Sequence, residues 1–331
     1  MTDKKKDAAL STIRLGRRLF ANTPVNKWPL AGKVRGWLFR QGFGEVDSII
    51  EYKGVRISAP ARDLSLIPGL VGGYYEATEL EVFMALAAAS RNIIDVGGNI
   101  GLYTVLGAKH LPAEGKVYTF EPIAENVAYI HKNLALNNLA ERVHVEPLAV
   151  GKEDGELTIH MSKDNVGNHS AARNNVQDAI GSVQVPRVSL DSYVASASAL
   201  RNQVDILKID VEGYDGLVLE GAQGLLGLCK PTLFVEFIPD LMENCAYDPT
   251  RFISMLFSAY TTCYLVDEIT DRLTEAQQDN IADFTKSVSN SNLIFVSNPT
   301  HKALVDGYMT AKHAPSNRQK ADAQTKGSMP S

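Results

Sequence analysis

Short apolar runs alternate with amphipathic stretches along most of the chain, and the alternation is regular from about residue 90 onward. Most runs are rich in Val, Ile and Leu and are followed by a stretch in which apolar residues recur with helical spacing. This order is typical of a parallel sheet whose strands are joined by crossover helices. The predicted strands are residues 92–96, 116–120, 142–150, 204–210, 232–237, 262–269 and 293–297, of which the last two are expected to pair antiparallel and close the sheet.

The residues that precede this alternation predict a hairpin and a helix. Segment 48–58 (SIIEYKGVRIS) favours a β-hairpin that turns at Lys53 and Gly54. Thr78 is expected to cap the helix that follows, because Glu81 lies at the spacing of a capping box. Residues 1–45 predict helix that is interrupted by prolines and glycines.

The connection between residues 151 and 203 is too long for one crossover helix. It predicts a second hairpin, of 156–161 with 182–188, whose polar loop is expected to be functional or disordered. The chain therefore divides into three predicted parts. These are a basic helical segment with a hairpin (1–75), an α/β domain (76–305) and a polar tail expected to be disordered (306–331).

The composition is that of a soluble globular protein, with 45% hydrophobic and 21% charged residues in a chain of 331. No run of about 18 apolar residues predicts a transmembrane helix, and the first residues lack the apolar segment of a secretory signal. The three cysteines are widely separated and predict reduced thiols. A cytoplasmic location is therefore expected.

Charge is distributed unevenly along the chain. Residues 1–56 contain twelve Lys or Arg and five Asp or Glu, a local charge of +7, and the total of −5 leaves −12 for the remainder. This distribution argues against nucleic-acid binding by the main domain. The basic segment could contact an anionic partner or a membrane surface, or it could be a docking helix with a solvated cationic face. The oligomeric state cannot be read from the sequence.

The strongest local feature is the turn after the first predicted strand, where Asp95 is followed by VGGNIG. Glycines permit a tight turn and the close approach of a ligand. Glu121 ends the next predicted strand, where a carboxylate can accept hydrogen bonds from both hydroxyls of a ribose. The carboxyl ends of parallel strands form the ligand crevice in such sheets. The predicted nucleotide-binding residues are Asp95, Gly97, Gly98, Asn99, Gly101 and Glu121.

The spacing of the glycines favours S-adenosylmethionine over a dinucleotide. Dinucleotide binding requires G-x-G-x-x-G after the strand, with the pyrophosphate at a helix N-terminus. Here the turn is the tighter GGNIG, and a carboxylate precedes it. Asp95 would repel a pyrophosphate but suits the amino group of a methionine moiety. The alternative is a glycine-rich turn with no ligand.

Acidic residues also follow the fourth and fifth predicted strands. Asp210 and Glu236 end these strands, and Glu212 lies just beyond the first of them. Neighbouring strands lie about 4.8 Å apart, so these carboxylates are expected to converge. They could provide a general base, or they could bind a divalent cation as the set Asp210, Glu212 and Glu236. Lys208 is expected to pair with a nearby acid, and the group could equally be a structural ion-pair network.

Two other regions contribute candidates. His169 lies at the centre of the long polar loop and could act as the base or contact substrate, although most loop histidines have no such role. Tyr75 and Glu76 precede the domain and could cover the cofactor, or they could simply pack the linker.

Several of these motifs resemble the FkbM family of methyltransferases. IIDVGGNIGLYT, VYTFEP, LAVG and VDILKIDVEGYDGLVLEGA resemble successive blocks of that family, and GGYYEATELEVF fits the segment before them. The match covers roughly residues 70–300. It implies a class I methyltransferase fold: a Rossmann-like, seven-stranded sheet with one antiparallel strand, helices on both faces and an N-terminal helical and hairpin extension. It also places Ala149 at the cofactor.

The resemblance implies S-adenosylmethionine-dependent methyl transfer to a hydroxyl of a sugar, glycan or polyketide-type small molecule. Many family members have His shortly after the fifth strand, where this chain has Phe237, Ile238 and Pro239. Asp210, Glu236, His169 and Lys208 are the candidate catalytic residues. The alternatives are a non-catalytic relative that binds a nucleotide or partner through its basic N-terminus and, less favoured, a nicotinamide oxidoreductase.

Overall fold

A computed structural model describes residues 47–63, 66–163, 165–200, 202–268, 270–281 and 291–313. The predicted basic helical segment up to residue 46 lies outside the described residues, as does the predicted tail from residue 314. The strands are β1 Ser48–Tyr52, β2 Val55–Ala59, β3 Asn92–Val96, β4 Lys116–Phe120, β5 Val143–Glu146, β6 Ala149–Val150, β7 Gly155–Ser162, β8 Ala179–Val188, β9 Ile206–Ile209, β10 Thr232–Phe237, β11 Thr262–Asp267, β12 Arg272–Ala276 and β13 Ser291–Val296.

The central sheet has eight strands in the order β12-β11-β13-β10-β9-β3-β4-β5. Strands β5, β4, β3, β9 and β10 are parallel, and β13 runs antiparallel between β10 and β11 as predicted for the closing pair. The prediction of seven strands with one antiparallel strand is wrong, because β12 adds a second antiparallel strand at the edge. Its sequence, RLTEA, is too polar to form an apolar run, since an edge strand buries few of its side chains.

Helices cover both faces of this sheet. Side chains of β3 alternate between the two apolar clusters, with Ile93 in one and Ile94 in the other, as expected when both faces are buried. The helices are α1 Leu66–Gly72, α2 Ala77–Ala87, α3 Leu102–His110, α4 Ala124–Leu136, α5 Leu190–Ser196, α6 Asp215–Glu220, α7 Gln223–Cys229, α8 Pro239–Asn244, α9 Pro249–Ala259 and α10 Pro299–His313.

The N-terminal hairpin forms as predicted. Strands β1 and β2 pair antiparallel, and the turn residues Lys53 and Gly54 have φ of 45° and 78°. Two consecutive positive φ values match the two-residue turns that suit strand twist. Ile50 and Ile57 are buried in the same apolar cluster as Ile93 of β3, so the hairpin packs directly on the main domain.

The third predicted strand is wrong as a single element. Residues 142–150 divide at Pro147 into β5, which stays in the central sheet, and β6, which pairs with β8 in a separate sheet of order β6-β8-β7. Proline lacks the N–H that a sheet interior requires, which explains the break. Strands β7 and β8 form the antiparallel hairpin that the sequence predicts.

The prediction that Thr78 caps α2 is also wrong. The helix begins at Ala77, after Glu76 in a left-handed conformation with φ of 42°. Glu268, which directly follows β11, accepts hydrogen bonds from the N–H groups of Thr78 and Glu79 at 3.1 and 2.8 Å. A carboxylate from a distant strand thus replaces the local capping box, and Glu81 instead pairs with Lys53.

The last described helix reaches beyond the predicted end of the domain at residue 305. Helix α10 extends to His313, and Val305 is fully buried against the first apolar cluster. Tyr308 and Lys312 both contact Glu81 of α2. Among the described residues, no helix combines the length and apolar character required to cross a bilayer.

Candidate active site

Two glycines, Gly97 and Gly101, determine the shape of the turn between β3 and α3. Gly97 has φ of 84°, and a Cβ there would overlap the carbonyl oxygen of Asp210 at the end of β9. Gly101 has φ of 88° and immediately precedes α3, and its N–H donates a 2.7 Å hydrogen bond to the carbonyl of Gly98 within the turn. Positive φ and close backbone approach are the two conditions that favour glycine. The turn therefore brings main chain, rather than side chains, to the carboxyl end of the sheet.

A cavity of about 770 Å³, which includes space open to solvent, lies at this end of the sheet. Its size falls in the range of small-molecule and cofactor sites. Of the residues predicted from sequence, it is lined by Gly97, Asn99, Glu121, Ala149, His169, Asp210 and Glu212. Apolar side chains complete the wall, among them Phe120, Ile123, Leu148, Leu157, Ile159 and Val166.

Glu121 is held in the larger cavity by the main chain. Its Oε2 accepts the N–H of Asn99 at 2.8 Å, and its Oε1 accepts the N–H of Ile123 at 2.9 Å. Only 5% of the residue is exposed. Burial raises the pKa of Glu121 to about 7, although these hydrogen bonds act in the opposite direction. The carboxylate is thus oriented before any ligand arrives.

A smaller cavity of about 330 Å³ adjoins the first, because Tyr75, Gly97, Asn99 and Asp210 line both. The predicted residues Glu76, Asp95, Gly98 and Lys208 line the smaller cavity, whereas Gly101 lines neither.

Asp95 in the smaller cavity has one satisfied and one unsatisfied oxygen. Its Oδ2 accepts the hydroxyl of Thr104 at 2.6 Å, while its Oδ1 is buried and has no hydrogen-bond partner among the described residues. Burial raises the pKa of Asp95, and Lys208 partly offsets this effect. Because a buried polar atom without a partner is costly, Oδ1 marks a position where a bound donor would be stabilised.

Lys208 lies among four carboxyl groups. Its Nζ is 3.0 Å from Oδ2 of Asp210, and its side chain is 5% exposed. Burial alone would lower the pKa of Lys208, but Asp210 and then Asp95, Glu76 and Glu79 outweigh it and raise the pKa. The predicted pairing of Lys208 with a nearby acid is therefore what the structure shows.

Two of these acids remain only partly ionised near neutral pH. Burial, assisted by Asp210, raises the pKa of Glu76 to about 7. Burial, assisted by Glu76, raises the pKa of Glu79 to about 8. The single positive charge of Lys208 is therefore surrounded by several acidic groups. Among the described residues, the charge of the smaller cavity favours a cationic ligand.

Further carboxyl groups follow β9 and β10. Burial raises the pKa of Asp215 to about 7 and raises the pKa of Glu212 and of Glu236 well above its usual range, with Asp210 adding to each shift. Glu236 is electrostatically coupled to this group but lines neither cavity. Within the described ranges, no group of three or more His, Cys, Asp or Glu could hold a metal ion, so nothing supports the predicted divalent cation on Asp210, Glu212 and Glu236.

His169 has a defined tautomer. Its Nδ1 accepts the N–H of Ser162 at 2.9 Å, so the neutral ring has its proton on Nε2. Nε2 is buried, has no partner among the described residues and belongs to a residue that lines the larger cavity. Burial lowers the pKa of His169. In this state the ring can donate a hydrogen bond into the cavity but has no free lone pair with which to accept a proton.

Two residues for which the sequence predicts no role belong to the same region. Tyr103 lines the smaller cavity, donates a 2.9 Å hydrogen bond to Oε1 of Glu79, and places its ring 4.4 Å from Nζ of Lys208. Asn126 lines the larger cavity and has an unpartnered Oδ1. Tyr103 lies just after the glycine turn and Asn126 five positions after Glu121, but no residue pattern marks either position.

A sheet whose strand order reverses between β3 and β9, with an acidic cleft at the carboxyl ends, defines an α/β protein with a nucleotide-type crevice. The family model for the methyltransferase FkbM domain matches residues 95–277, which is more than half of the chain. The protein belongs to this family, as the sequence motifs predict.

Similar proteins include Methyltransferase 1 of Beauveria bassiana, 26% identical over 145 residues that cover 39% of this chain and 57% of that protein. Among solved structures, the FkbM methyltransferase of Methylobacillus flagellatus is 13% identical, with a TM-score of 0.38 and coverage of 80% of this chain and 59% of that one. The O-methyltransferase TomG of Streptomyces achromogenes, solved in complex with SAM, is 14% identical, with a TM-score of 0.39 and coverage of 68% and 82%. The chain thus spans less than two thirds of the length of the first two relatives.

Proposed function

We propose that this protein is an S-adenosylmethionine-dependent methyltransferase that methylates a hydroxyl of a small molecule, such as a sugar, glycan or polyketide-type acceptor. The observation that supports this most directly is the pair of adjoining cavities on either side of the Gly97 turn. The larger presents Glu121 and the smaller presents Asp95. A ligand with a ribose at one end and an ammonium at the other fits this arrangement.

The charge of the smaller cavity supports a sulfonium nucleoside rather than a dinucleotide. Glu76, Asp95 and Asp210 line this cavity together with one basic residue, Lys208. A pyrophosphate there would meet like charges, whereas an ammonium would satisfy the unpartnered Oδ1 of Asp95.

The larger cavity supports binding of a nucleoside. Both oxygens of Glu121 are fixed by backbone N–H groups, and each oxygen keeps a lone pair for a ribose hydroxyl. Apolar side chains such as Ile123 and Leu148, with Ala149, provide a surface for a base. Asn126 and His169 add one acceptor and one donor that are otherwise unpartnered among the described residues.

When bound, S-adenosylmethionine would supply a methyl group already activated by positive sulfur. The residues of this chain would hold the acceptor oxygen in line with that methyl group, and such positioning can contribute roughly 7–11 kcal/mol. A carboxylate near the methyl position would remove the hydroxyl proton, which adds about 10²–10⁴-fold. Of the four candidates from sequence, Asp210 lines both cavities and Glu236 lines neither. His169 and Lys208 are less suited to this step, because Nδ1 of His169 already accepts a hydrogen bond and the surrounding carboxylates raise the pKa of Lys208.

Isothermal titration of the purified full-length chain with S-adenosylmethionine and with NAD tests the proposal. We expect micromolar affinity for the former and none for the latter. Glu121→Ala should weaken binding at least tenfold, because it removes the proposed ribose acceptor, whereas Glu114→Ala, at an exposed loop carboxylate, should bind normally. Preferential NAD binding would favour the oxidoreductase alternative. Binding of S-adenosylmethionine without turnover on any hydroxyl acceptor would favour the non-catalytic one.

A further inference from the structure

The connection between β7 and β8 spans the larger cavity and is attached on both sides. On the α4 side, the carbonyl of Val166 accepts a hydrogen bond from Nδ2 of Asn126 at 3.2 Å. On the β9 side, Ser170 donates to the carbonyl of Glu212 at 2.8 Å. Val166 and Ser170 are each 1% exposed, so both attachments are buried. The β7–β8 connection, which lies within the long segment between residues 151 and 203, is therefore part of the cavity wall.

Glu212 adopts a backbone conformation that needs external support. Its φ is 54°, a left-handed value that is unfavourable for a residue with a Cβ, and Gly213 follows with φ of 93°. A Cβ at Gly213 would overlap the carbonyl oxygen of Leu241, so this segment lies tightly against α8. Non-glycine residues in such conformations cost about 1–3 kcal/mol and persist only when their surroundings fix them.

Two side chains of the β7–β8 connection fix this peptide. The carbonyl oxygen of Glu212 accepts two hydrogen bonds: one from Nδ2 of Asn175 at 3.0 Å and one from the hydroxyl of Ser170. The same Nδ2 lies 3.1 Å from the carbonyl of Leu241, and Oδ1 of Asn175 accepts from Asn244 at 2.8 Å. Asn175 therefore ties the Glu212 peptide to α8, while Ser170 ties it to the hairpin.

The side chain of Glu212 differs from the other carboxyl groups of the site. It lines the larger cavity, and among the described residues no group donates a hydrogen bond to its carboxyl. Asp210 also lines the cavity, but its Oδ2 is paired with Lys208. Glu236 lines neither cavity. Glu212 is thus the one carboxyl of these three that both faces the larger cavity and is unengaged within the described structure.

We propose that Glu212 accepts the hydroxyl proton of the methyl acceptor, and that Ser170 and Asn175 are positioning residues that hold it in place. The inference rests on the proposed function. In the step, the acceptor O–H bond breaks and its proton passes to an Oε of Glu212. The acceptor oxygen forms a bond to the methyl carbon of the sulfonium donor, the carbon–sulfur bond breaks, and its electron pair remains on sulfur.

The electrostatic surroundings of Glu212 agree with this role. Burial is the main cause that raises the pKa of Glu212 well above its usual range. The negative charges of Asp210 and Asp215 raise this pKa further, whereas the positive charge of Lys208 lowers it. Glu76 adds to the shift, and Glu236 is coupled to Glu212 in turn. A carboxylate with a raised pKa is a stronger base, so turnover should rise with pH until this group is ionised.

The test measures S-adenosylhomocysteine release by the full-length chain with a panel of methyl glycosides and simple phenols as probe acceptors. Glu212→Gln should lower kcat by about 10²–10⁴-fold and remove the rising limb of the pH profile, while S-adenosylmethionine affinity by calorimetry changes less than about twofold. Ser170→Ala should lower kcat about tenfold with little change in KM for the donor. Ser196→Ala, at an exposed serine of α5, should have no effect.

A double-mutant cycle distinguishes positioning from general structural support. If Ser170 acts through Glu212, Ser170→Ala should cause no further loss of kcat in the Glu212→Gln background. An equal loss in both backgrounds, or a Glu212→Gln variant with more than about a tenth of the wild-type rate, would overturn the inference while leaving the proposed function intact. Wild-type protein that binds the donor but turns over no probe acceptor would remove both. If Ser170→Ala does not fold, Asn175→Asp takes its place in the cycle.

Discussion

The two ends of the proposed cofactor site are built in different ways. At the ribose end, the main chain holds Glu121 through two backbone N–H groups, those of Asn99 and Ile123, which lie 22 and 2 residues from it in sequence. At the opposite end, side chains hold one another: Lys208 contacts Asp210, and Tyr103 bonds to Glu79, which also accepts from Asn292 of β13. The first end depends on backbone geometry within one stretch of about 30 residues, whereas the second joins groups of α2, α3 and β13 with those at the end of β9, and Glu79 and Asn292 are 213 residues apart.

This difference indicates which part of the site should tolerate change. A carboxylate held by backbone groups keeps its orientation as long as the turn folds, whichever side chains surround it. A network of buried charges loses its balance when one member is removed, because the remaining charges are left without compensation. We therefore expect single substitutions at the Lys208 end to affect folding. At the Glu121 end, we expect replacement of side chains to affect mainly binding, and only changes to the turn itself to affect folding.

The largest predicted effect is that of Lys208→Met. It removes the cation that Asp210 and Asp95 share and leaves the buried carboxylate of Asp95 and the partly exposed carboxylate of Asp210 uncompensated. Breaking a buried pair in this way costs about 3–5 kcal/mol, and urea denaturation at pH 7.5 should show a loss of that size. The loss should be smaller at pH 5.5, where the carboxylates can be protonated instead.

Lys302→Met provides the matched control for this prediction. Lys302 lies 2.7 Å from Asp306 in an exposed i, i+4 pair, with side-chain exposures of 42% and 47%. Exposed pairs of this kind contribute little to stability because solvent screens them, so this variant should be close to wild type. Equal losses for the two lysines would mean that the buried network is not a distinct structural unit.

Gly97→Ala should produce the largest effect at the ribose end. The left-handed φ costs roughly 1–2 kcal/mol for alanine, and overlap with the Asp210 carbonyl should add roughly 1–3 kcal/mol. Gly73→Ala isolates the first cost, because Gly73 has φ of 75° but open space where its Cβ would lie. Thermal unfolding of both variants should therefore show a larger loss at Gly97, and equal losses would show that the close approach to β9 is unimportant.

The local nature of the Gly97 turn explains why its geometry could be predicted from sequence. Strand β3, the turn at Gly97 and strand β4 form one continuous stretch, and glycine positions together with Glu121 define it without knowledge of the rest of the fold. The same holds for the turn at Lys53 and Gly54, where the hairpin register follows from the turn itself.

The elements that the sequence did not predict depend on distant partners. Glu268 caps α2 from across the fold, so the local capping box at Thr78 and Glu81 was misleading. Strand β12 is polar because it lies at a sheet edge, and its pairing with β11 is not visible in its own residues. Glu79 and Tyr103 form a pair only because α2 packs against α3 beside the cleft. In each case the information lies in tertiary packing.

The pH dependence of cofactor affinity separates the two ends further. Glu76 and Glu121 both have a pKa of about 7 in the free protein, raised first by burial, so each is about half protonated at neutral pH. A cationic ligand requires ionised carboxylates, so affinity for S-adenosylmethionine should rise with pH, by about tenfold between pH 6 and 8 for each such group. Titration calorimetry across this range measures the slope. Glu76→Gln should flatten it more than Glu121→Gln, because the proposed binding mode would place the charged end of the ligand in the cavity that Glu76 lines.

The same shifts set the stability of the free protein. A carboxyl group whose pKa is higher in the folded than in the unfolded chain binds more protons when folded, so its contribution to stability is lost as pH rises. Glu76, Glu121 and Asp215, each with a folded pKa of about 7, should make the free protein less stable at pH 8 than at pH 6. Saturating S-adenosylmethionine should reduce this difference. A stability that increases over the same interval would contradict the assigned shifts.

The smallest predicted effect is that of Glu268→Gln and Glu268→Ala at the start of α2, the helix that carries Glu79. Loss of the carboxylate cap should cost about 0.5–2 kcal/mol for alanine, and less for glutamine, whose amide oxygen can still accept one N–H. Ser189→Ala, which removes the cap of α5 far from the acidic network, should cost a similar amount. The two caps should differ in function, because only the Glu268 variants loosen the segment that holds Glu76 and Glu79 beside Lys208. We therefore expect weaker S-adenosylmethionine binding for Glu268→Ala and unchanged binding for Ser189→Ala, and the opposite order would show that the Lys208 end is held independently of α2.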